Sequence, residues 1–149
     1  MKNFCRMWNG GLEKLNKKHS EEMVEFGAFL SSRIQAPRVI ALHGELGAGK
    51  TTLAKGFIAA RTGLSPSEIT SPTFQYVQFY PSATVHFDLW RLRGVEEFLS
   101  LGLEEHLRTG VVLIEWPDRI ESLIPDDAVH IEIAIHEGGR AVTIRGICI

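Results

Sequence analysis

Residues Gly44-Glu45-Leu46-Gly47-Ala48-Gly49-Lys50-Thr51 fit the pattern Gly-x-x-x-x-Gly-Lys-Ser/Thr, and every fixed position has a physical use. The glycines let the backbone fold back so that successive N–H groups point inward, a nest for phosphate oxygens at a helix N-terminus. Lys50 brings a point charge to the β- and γ-phosphates of a nucleotide, and the Thr51 hydroxyl can ligate Mg²⁺. Glu45, Leu46, Gly47, Ala48, Gly49, Lys50, Thr51 and Thr52 are therefore the expected cradle of ATP or ADP. Mg²⁺ prefers hard oxygen ligands, and phosphates supply only part of its octahedron, so a carboxylate is expected at the tip of a neighbouring strand. Two acids fit, Asp88 after Thr84-Val85-His86-Phe87 and Glu115 after Val111-Val112-Leu113-Ile114. The second strand is the more continuously apolar, which suits a central place beside the loop and puts Glu115 on the metal side; Asp88 is given an active-site role that does not exclude it. His86 is expected to pack or bond locally, with service as a base the alternative, and Trp90 and Trp116 are either core aromatics or part of the site. Thr70-Ser71-Pro72-Thr73-Phe74 offers hydroxyls that could approach a γ-phosphate or a water, or is a loop with a coincidental cluster. Neither Asn-Lys-x-Asp nor Asp-x-x-Gly follows these strands, so adenine is favoured over guanine.

The elements that must position these groups can be read from periodicity. Ser20 can cap a helix with Glu21 and Glu22 in its first turn, and Met23, Phe26, Gly27, Leu30 and Ile34 recur at helical spacing until Pro37. Val39 to Leu42 is short, apolar and followed by glycine, as in a strand buried on both faces. A second helical pattern, Leu53, Phe57, Ile58 and Ala60, runs to Gly63, and Leu64 to Pro72 is loop. Thr73–Tyr80 and Thr84–Asp88 read as an antiparallel hairpin, and Val95–Leu107 as a helix weakened by Gly102. Ile120–Ile124 reads as a short helix, and Val129–Ile135 pairs with Ala141–Ile147 as a terminal hairpin. Helices alternating with buried strands predict a three-layer α/β, P-loop NTPase-like fold with a mixed central sheet.

At 149 residues and 16.6 kDa the chain has room for about one domain, assigned to 20–149. The stretch 1–19, with Lys2, Arg6, Lys14, Lys17 and Lys18 against Glu13, reads as a poorly ordered basic leader, too interrupted for a secretory signal. A hydrophobic fraction of 44% and a mean hydropathy of +0.01 suit a soluble domain, and no apolar run approaches the roughly 18 residues of a membrane span. With a formal net charge of -2, the chain lacks the cation excess behind non-specific nucleic-acid affinity. Its two cysteines, Cys5 and Cys148, form neither a disulfide framework nor a zinc pattern, which points to the reducing cytosol.

Four motifs occur in order: the loop at Gly44–Thr51, Ser71-Pro72-Thr73-Phe74, His86-Phe87-Asp88-Leu89-Trp90-Arg91, and Ile114-Glu115-Trp116-Pro117-Asp118. Together they resemble the TsaE family, small bacterial P-loop ATPases of threonylcarbamoyladenosine synthesis at position 37 of tRNA, over roughly Ser20 to Arg145. The resemblance implies a cytoplasmic, Mg²⁺-dependent, ATP-binding protein that hydrolyses ATP weakly alone and works with TsaB and TsaD, meeting tRNA only through that complex. It implies Lys50 as phosphate lysine, Thr51 and Glu115 on the metal, Trp116 near the nucleotide, and Lys50, Asp88, Glu115 and Thr73 in catalysis. Arg140 is taken as the C-terminal arginine near the adenine. Trp90 stands for the family's tyrosine, Asp118 for its glutamate, and Met23 lies where many members have a threonine. Two other functions share the loop. A small-molecule kinase would also need an arginine-bearing lid, for which Arg91, Arg93 and Arg108 are the candidates; a nucleotide-gated binding module would bind without useful hydrolysis.

Overall fold

The structure, a computed structural model, describes residues 5–10, 17–136 and 139–147, with side chains from Ser20 onward within those ranges. Seven strands form one mixed sheet: β1 Cys5–Gly10, β2 Arg38–His43, β3 Val77–Tyr80, β4 Thr84–Asp88, β5 Val111–Glu115, β6 Val129–His136 and β7 Gly139–Arg145. Their spatial order is β1-β7-β6-β2-β5-β4-β3. β6, β2, β5 and β4 run parallel, and antiparallel partners close both sides. The α/β, P-loop NTPase-like expectation holds, and so do both predicted hairpins. β5 is buried along its whole length between β2 and β4, as its unbroken apolar run requires.

Helices α1 (Lys17–Ser31) and α2 (Lys50–Thr62) cover one face of the sheet. Met23, Phe26, Leu30, Leu53, Phe57 and Ile58 pack there on Ile40, Leu42, Leu113 and Ile131. The opposite face carries α3 (Val95–Ser100) and the 3₁₀ segments at Glu104–Leu107 and Pro117–Leu123, with Phe98, Leu107 and Ile120 on Phe87, Val112 and Ile114. The two helices α1 and α2 touch through glycines: a Cβ on Gly27 would meet the Leu53 carbonyl oxygen, and one on Gly56 the Val24 carbonyl oxygen. Backbone cannot yield as a side chain can, so the glycines set the helix spacing and, through it, where the first turn of α2 lies.

Three expectations change. The leader is not wholly unordered, since Cys5–Gly10 adds a strand to the free edge of β7 and α1 begins at Lys17; an open edge is a row of unpaired N–H and C=O groups that such a strand satisfies. The strand predicted from Thr73 starts only at Val77, because Tyr76 takes a φ of 66° and the Gln75 N–H donates to Pro72 O at 3.1 Å. The helix over Val95–Leu107 is split at Gly102, whose φ of 69° is left-handed and cannot continue an α-helix.

Gly27→Ala and Gly56→Ala should each cost at least about 1–3 kcal/mol, the usual penalty of overpacking. The check is urea denaturation, with the midpoint falling at unchanged slope; an unchanged midpoint would mean that the helices separate without cost.

Candidate active site

Register decides where the acids stand. Leu42 of β2 pairs with Glu115 of β5, and Glu115 pairs with Asp88 of β4, so the two carboxylates are neighbours in one row at the carboxyl ends of parallel strands. Side chains directly opposite in a sheet share a face, here the face that α2 covers. In open α/β sheets the crevice beyond the strand ends is where ligands sit. A cleft of about 400 Å³ opens there, lined by Lys50, Thr51, Asp88, Glu115 and both tryptophans, with Leu46, Gly47, Gly49, Thr52, Ser71 and Thr73 around it.

The loop between β2 and α2 is shaped by its own bonds and by its surroundings. Ala48 N–H donates to Glu45 O at 3.0 Å, and Gly49 adopts a φ of 113° at the start of α2, where the Met23 side chain lies against it. Lys50, only 5% exposed, donates from Nζ to Gly44 O and to Glu45 O, the latter at 3.0 Å. Its Nζ also lies 3.9 Å from the centroid of the Trp116 ring. Burial lowers the Lys50 pKa from its ordinary value, against the opposing pull of Glu115, Asp88, Asp118 and Glu45. Trp116 reaches this position because it turns out of β5 with a φ of 60°, a conformation that costs a non-glycine residue free energy. Its ring centroid is 4.5 Å from that of Trp90, so Trp90 and Trp116 form one wall of the cleft, Trp116 also packing against the core on the α3 side.

Glu115 is 2% exposed and uses both carboxylate oxygens. Oε1 accepts from the Thr51 hydroxyl at 2.7 Å, and Oε2 from His86 Nε2 at 2.7 Å. Asp88 Oδ2 accepts from the hydroxyls of Ser71 and Thr73, each at 2.9 Å, and Oδ1 accepts from Trp90 N–H at 3.1 Å. The Ser-Pro-Thr-Phe segment is thus tied to Asp88 instead of lying as an incidental loop. Thr51 and Glu115 present adjacent hard oxygens at the mouth of a glycine loop, a donor set that suits Mg²⁺ completed by phosphate oxygens. Among the described residues no group of three or more His, Cys, Asp or Glu gathers into a metal cluster of another kind.

Arg140 of β7 is not among the residues lining the cleft. It donates from Nε to Ala48 O at 2.9 Å and from a terminal nitrogen to Gly47 O at 3.3 Å, bracing the loop through its carbonyls. Of the lid candidates, Arg93 is tied to Glu97, Arg108 lines a different cleft with Arg38 and Asp127, and Arg91 lies 4.4 Å from the ring centroid of Phe74. His86, expected from the sequence to pack or bond locally, bonds to Glu115. The signal for its contact was the strand alternation that puts it two residues before Asp88 on the same face.

A glycine-cornered loop joining β2 to α2, with acids closing two adjacent parallel strands, defines the P-loop NTPase-like class of α/β proteins. The profile of the family described as Threonylcarbamoyl adenosine biosynthesis protein TsaE matches residues 17–142, and the chain belongs to that family. Among its relatives, the tRNA threonylcarbamoyladenosine biosynthesis protein TsaE of Treponema pallidum is 33% identical over 131 residues, covering 85% of this chain and 96% of the relative. The protein of the same name from Rickettsia bellii is 36% identical over 118 residues, covering 77% and 81%. Among solved structures, Bacillus subtilis YdiB superposes with a TM-score of 0.68 at 26% identity, covering 97% of this chain and 86% of the other. No helix among the described residues is long and apolar enough to cross a membrane.

A histidine pair lies beside the loop. His43, which ends β2, and His130 of β6 are hydrogen-bonded between Nε2 and Nδ1 at 2.9 Å and stack with ring centroids 5.2 Å apart. Burial lowers both pKa values below the usual 6.5; His130 lowers that of His43 further and Arg145 acts on both, while Glu132 and Asp118 oppose at His43. With the folded pKa depressed, the unfolded chain binds more protons as pH falls through 6.5. Stability from this pair should therefore be complete above that value and decline below it. Thermal unfolding between about pH 8 and about pH 5.5 should show a falling Tm, and His43→Gln with His130→Gln should flatten the slope; an equal slope in the double variant would remove the pair from the account.

Proposed function

We propose that the chain binds ATP and ADP with Mg²⁺, hydrolyses ATP weakly alone, and supports the TsaB–TsaD complex in forming N6-threonylcarbamoyladenosine at position 37 of tRNAs in the cytoplasm. The observation that carries this reading is the convergence of Lys50, Thr51, Asp88 and Glu115 on one cleft at the strand ends. Backbone N–H groups of residues 45–52 would receive the phosphates at the N-terminus of α2, whose dipole favours anions. Lys50, held by two loop carbonyls, would exchange them for phosphate oxygens, which as anions bind the ammonium more strongly. Mg²⁺, when bound, would neutralise charge on the β- and γ-phosphates. Thr51 and Glu115 would hold it, and Trp116 would border the nucleotide. Asp88 would orient the Ser71–Thr73 segment, keeping the Thr73 hydroxyl at the γ-phosphate end of the cleft. Arg140 would act near the adenine side through the loop it braces.

The surroundings of the site support weak hydrolysis in isolation. Phe74 is 81% exposed and Leu46 71%, so the rim offers apolar side chains to solvent, and the cleft has no lid to exclude water among the described residues. A docking partner could cover this rim and order the segment at Asp88 around the γ-phosphate. ATP and partner would then strengthen each other's binding by linkage. The kinase reading gains nothing from its three arginines, which point to separate places.

Lys50→Ala should weaken ATP binding roughly 10- to 150-fold, the equivalent of about 1.5–3 kcal/mol for a charge-assisted contact. Calorimetry measures it, and unchanged affinity would contradict the assignment. In steady-state hydrolysis the pure chain should be slow, TsaB with TsaD should accelerate it, and Asp88→Ala should not respond. A pure chain turning over at about 1 to 100 per second, indifferent to both proteins, would favour a kinase. Single-turnover hydrolysis absent with and without them would favour the binding module.

A further inference from the structure

We propose that His86 is a positioning residue for the site: it fixes the Glu115 carboxylate so that one oxygen stays beside Thr51 and the pair meets Mg²⁺ in a single arrangement. The inference rests on the nucleotide-binding reading above and deepens it.

His86 lies in the middle of β4, fully buried, opposite Leu113 of β5 and therefore one pleat below Glu115. On that row β5 and β2 carry Leu113 and Ile40, both fully buried and apolar, and β3 on the other side carries the half-buried Gln78. Strand packing alone would accept another aliphatic residue there. Instead an imidazole donates from Nε2 to Glu115 Oε2 at 2.7 Å, while its Nδ1 is buried without a partner among the described residues. A carboxylate only accepts, so Nε2 is the donor, and the buried Nδ1 is left unsatisfied. Buried polar atoms of this kind cost stability. Among the described residues the ring's one polar contact is to Glu115, so that contact is what the cost supports.

The geometry shows what the contact does. A glutamate has three rotatable side-chain bonds, and a carboxylate bonded through one oxygen can swing the other. Here Oε2 is tied from β4 and Oε1 from α2, so the group bridges the sheet and the first turn of the helix. Residues that orient a ligand without touching the metal commonly change metal affinity 10- to 100-fold when removed. His86 needs no proton transfer for this role. It also explains the histidine two residues before Asp88: one strand supplies both the anchor of Asp88's own segment and the brace of Glu115.

The test is calorimetric binding of ADP to the full chain with Mg²⁺ and in chelator, together with the Mg²⁺ concentration that half-saturates the ADP complex. His86→Met fills the volume without a donor, and His86→Gln keeps an N–H that can reach Oε2. The expected result is a 10- to 100-fold higher half-saturating Mg²⁺ concentration in His86→Met, recovered at least in part by His86→Gln, with chelator-condition ADP affinity within about threefold of the parent. Two results overturn the proposal: Mg²⁺ dependence like the parent's in His86→Met, or equal loss of metal-free binding in both variants. Failure of His86→Met to fold also overturns it, since the histidine would then be structural. If the parent chain itself binds no ADP, or gains nothing from Mg²⁺, the nucleotide reading has failed rather than the role of His86.

Discussion

A carboxylate that is 2% exposed must be partnered, and the burial of Glu115 organises the rest of the site. Removing a charge from water costs several kcal/mol unless hydrogen bonds return most of that. Glu115 recovers it from two directions, the Thr51 hydroxyl on α2 and His86 on β4. Those bonds are possible only because β2, β5 and β4 run parallel in one register, which aligns Leu42, Glu115 and Asp88. A slip of one residue would turn Glu115 to the opposite face, among Phe87, Ile114 and Phe98, with nothing to bond. Fold and site are therefore fixed by the same pairing, and the close approach of α1 and α2 at Gly27 and Gly56 sets the height at which Thr51 arrives.

The loop is held in a similar way, from outside as well as within. Lys50 folds over its own loop onto two carbonyls, and Arg140 reaches from β7 to two others. Cations from two elements thus hold four of the loop's carbonyl oxygens. Trp116 adds a third constraint by leaving β5 in a left-handed turn that brings its ring over Lys50. The free energy of that turn is recovered partly by ring contact with Trp90 and partly by the cation on its face. Asp88 then ties in the segment at Ser71 and Thr73, so every motif of the sequence meets within one cleft.

Much of this was legible in the sequence because the physics is local. Val39–Leu42 and Val111–Ile114 are apolar throughout and can only be strands buried on both faces, and the acid that ends the second had to lie near the loop that ends the first. The hairpins announced themselves through turn residues. What was not legible depends on contacts distant in sequence. Gln75 and Tyr76 alternate as a strand would, yet the hydroxyls of Ser71 and Thr73 are drawn to Asp88 and the chain turns there. Cys5–Gly10 carries no strong strand signal; it is recruited by the edge of β7. Arg140 and His86 are both singled out in the sequence, but the bonds they make, one to the loop's carbonyls and the other to Glu115, depend on the register that brings distant strands together.

Central to the account is that Thr51 and Glu115 act as one unit toward a Mg²⁺–nucleotide complex. A double-mutant cycle with Thr51→Ala and Glu115→Gln, read as ADP affinity by calorimetry with Mg²⁺ and again in chelator, tests it most directly. The account predicts strong non-additivity in Mg²⁺, with a coupling of about 0.5–3 kcal/mol, and near-additivity once the metal is removed. Additive losses in Mg²⁺ would contradict it, and would separate the buried carboxylate from the loop it appears beside in the sheet.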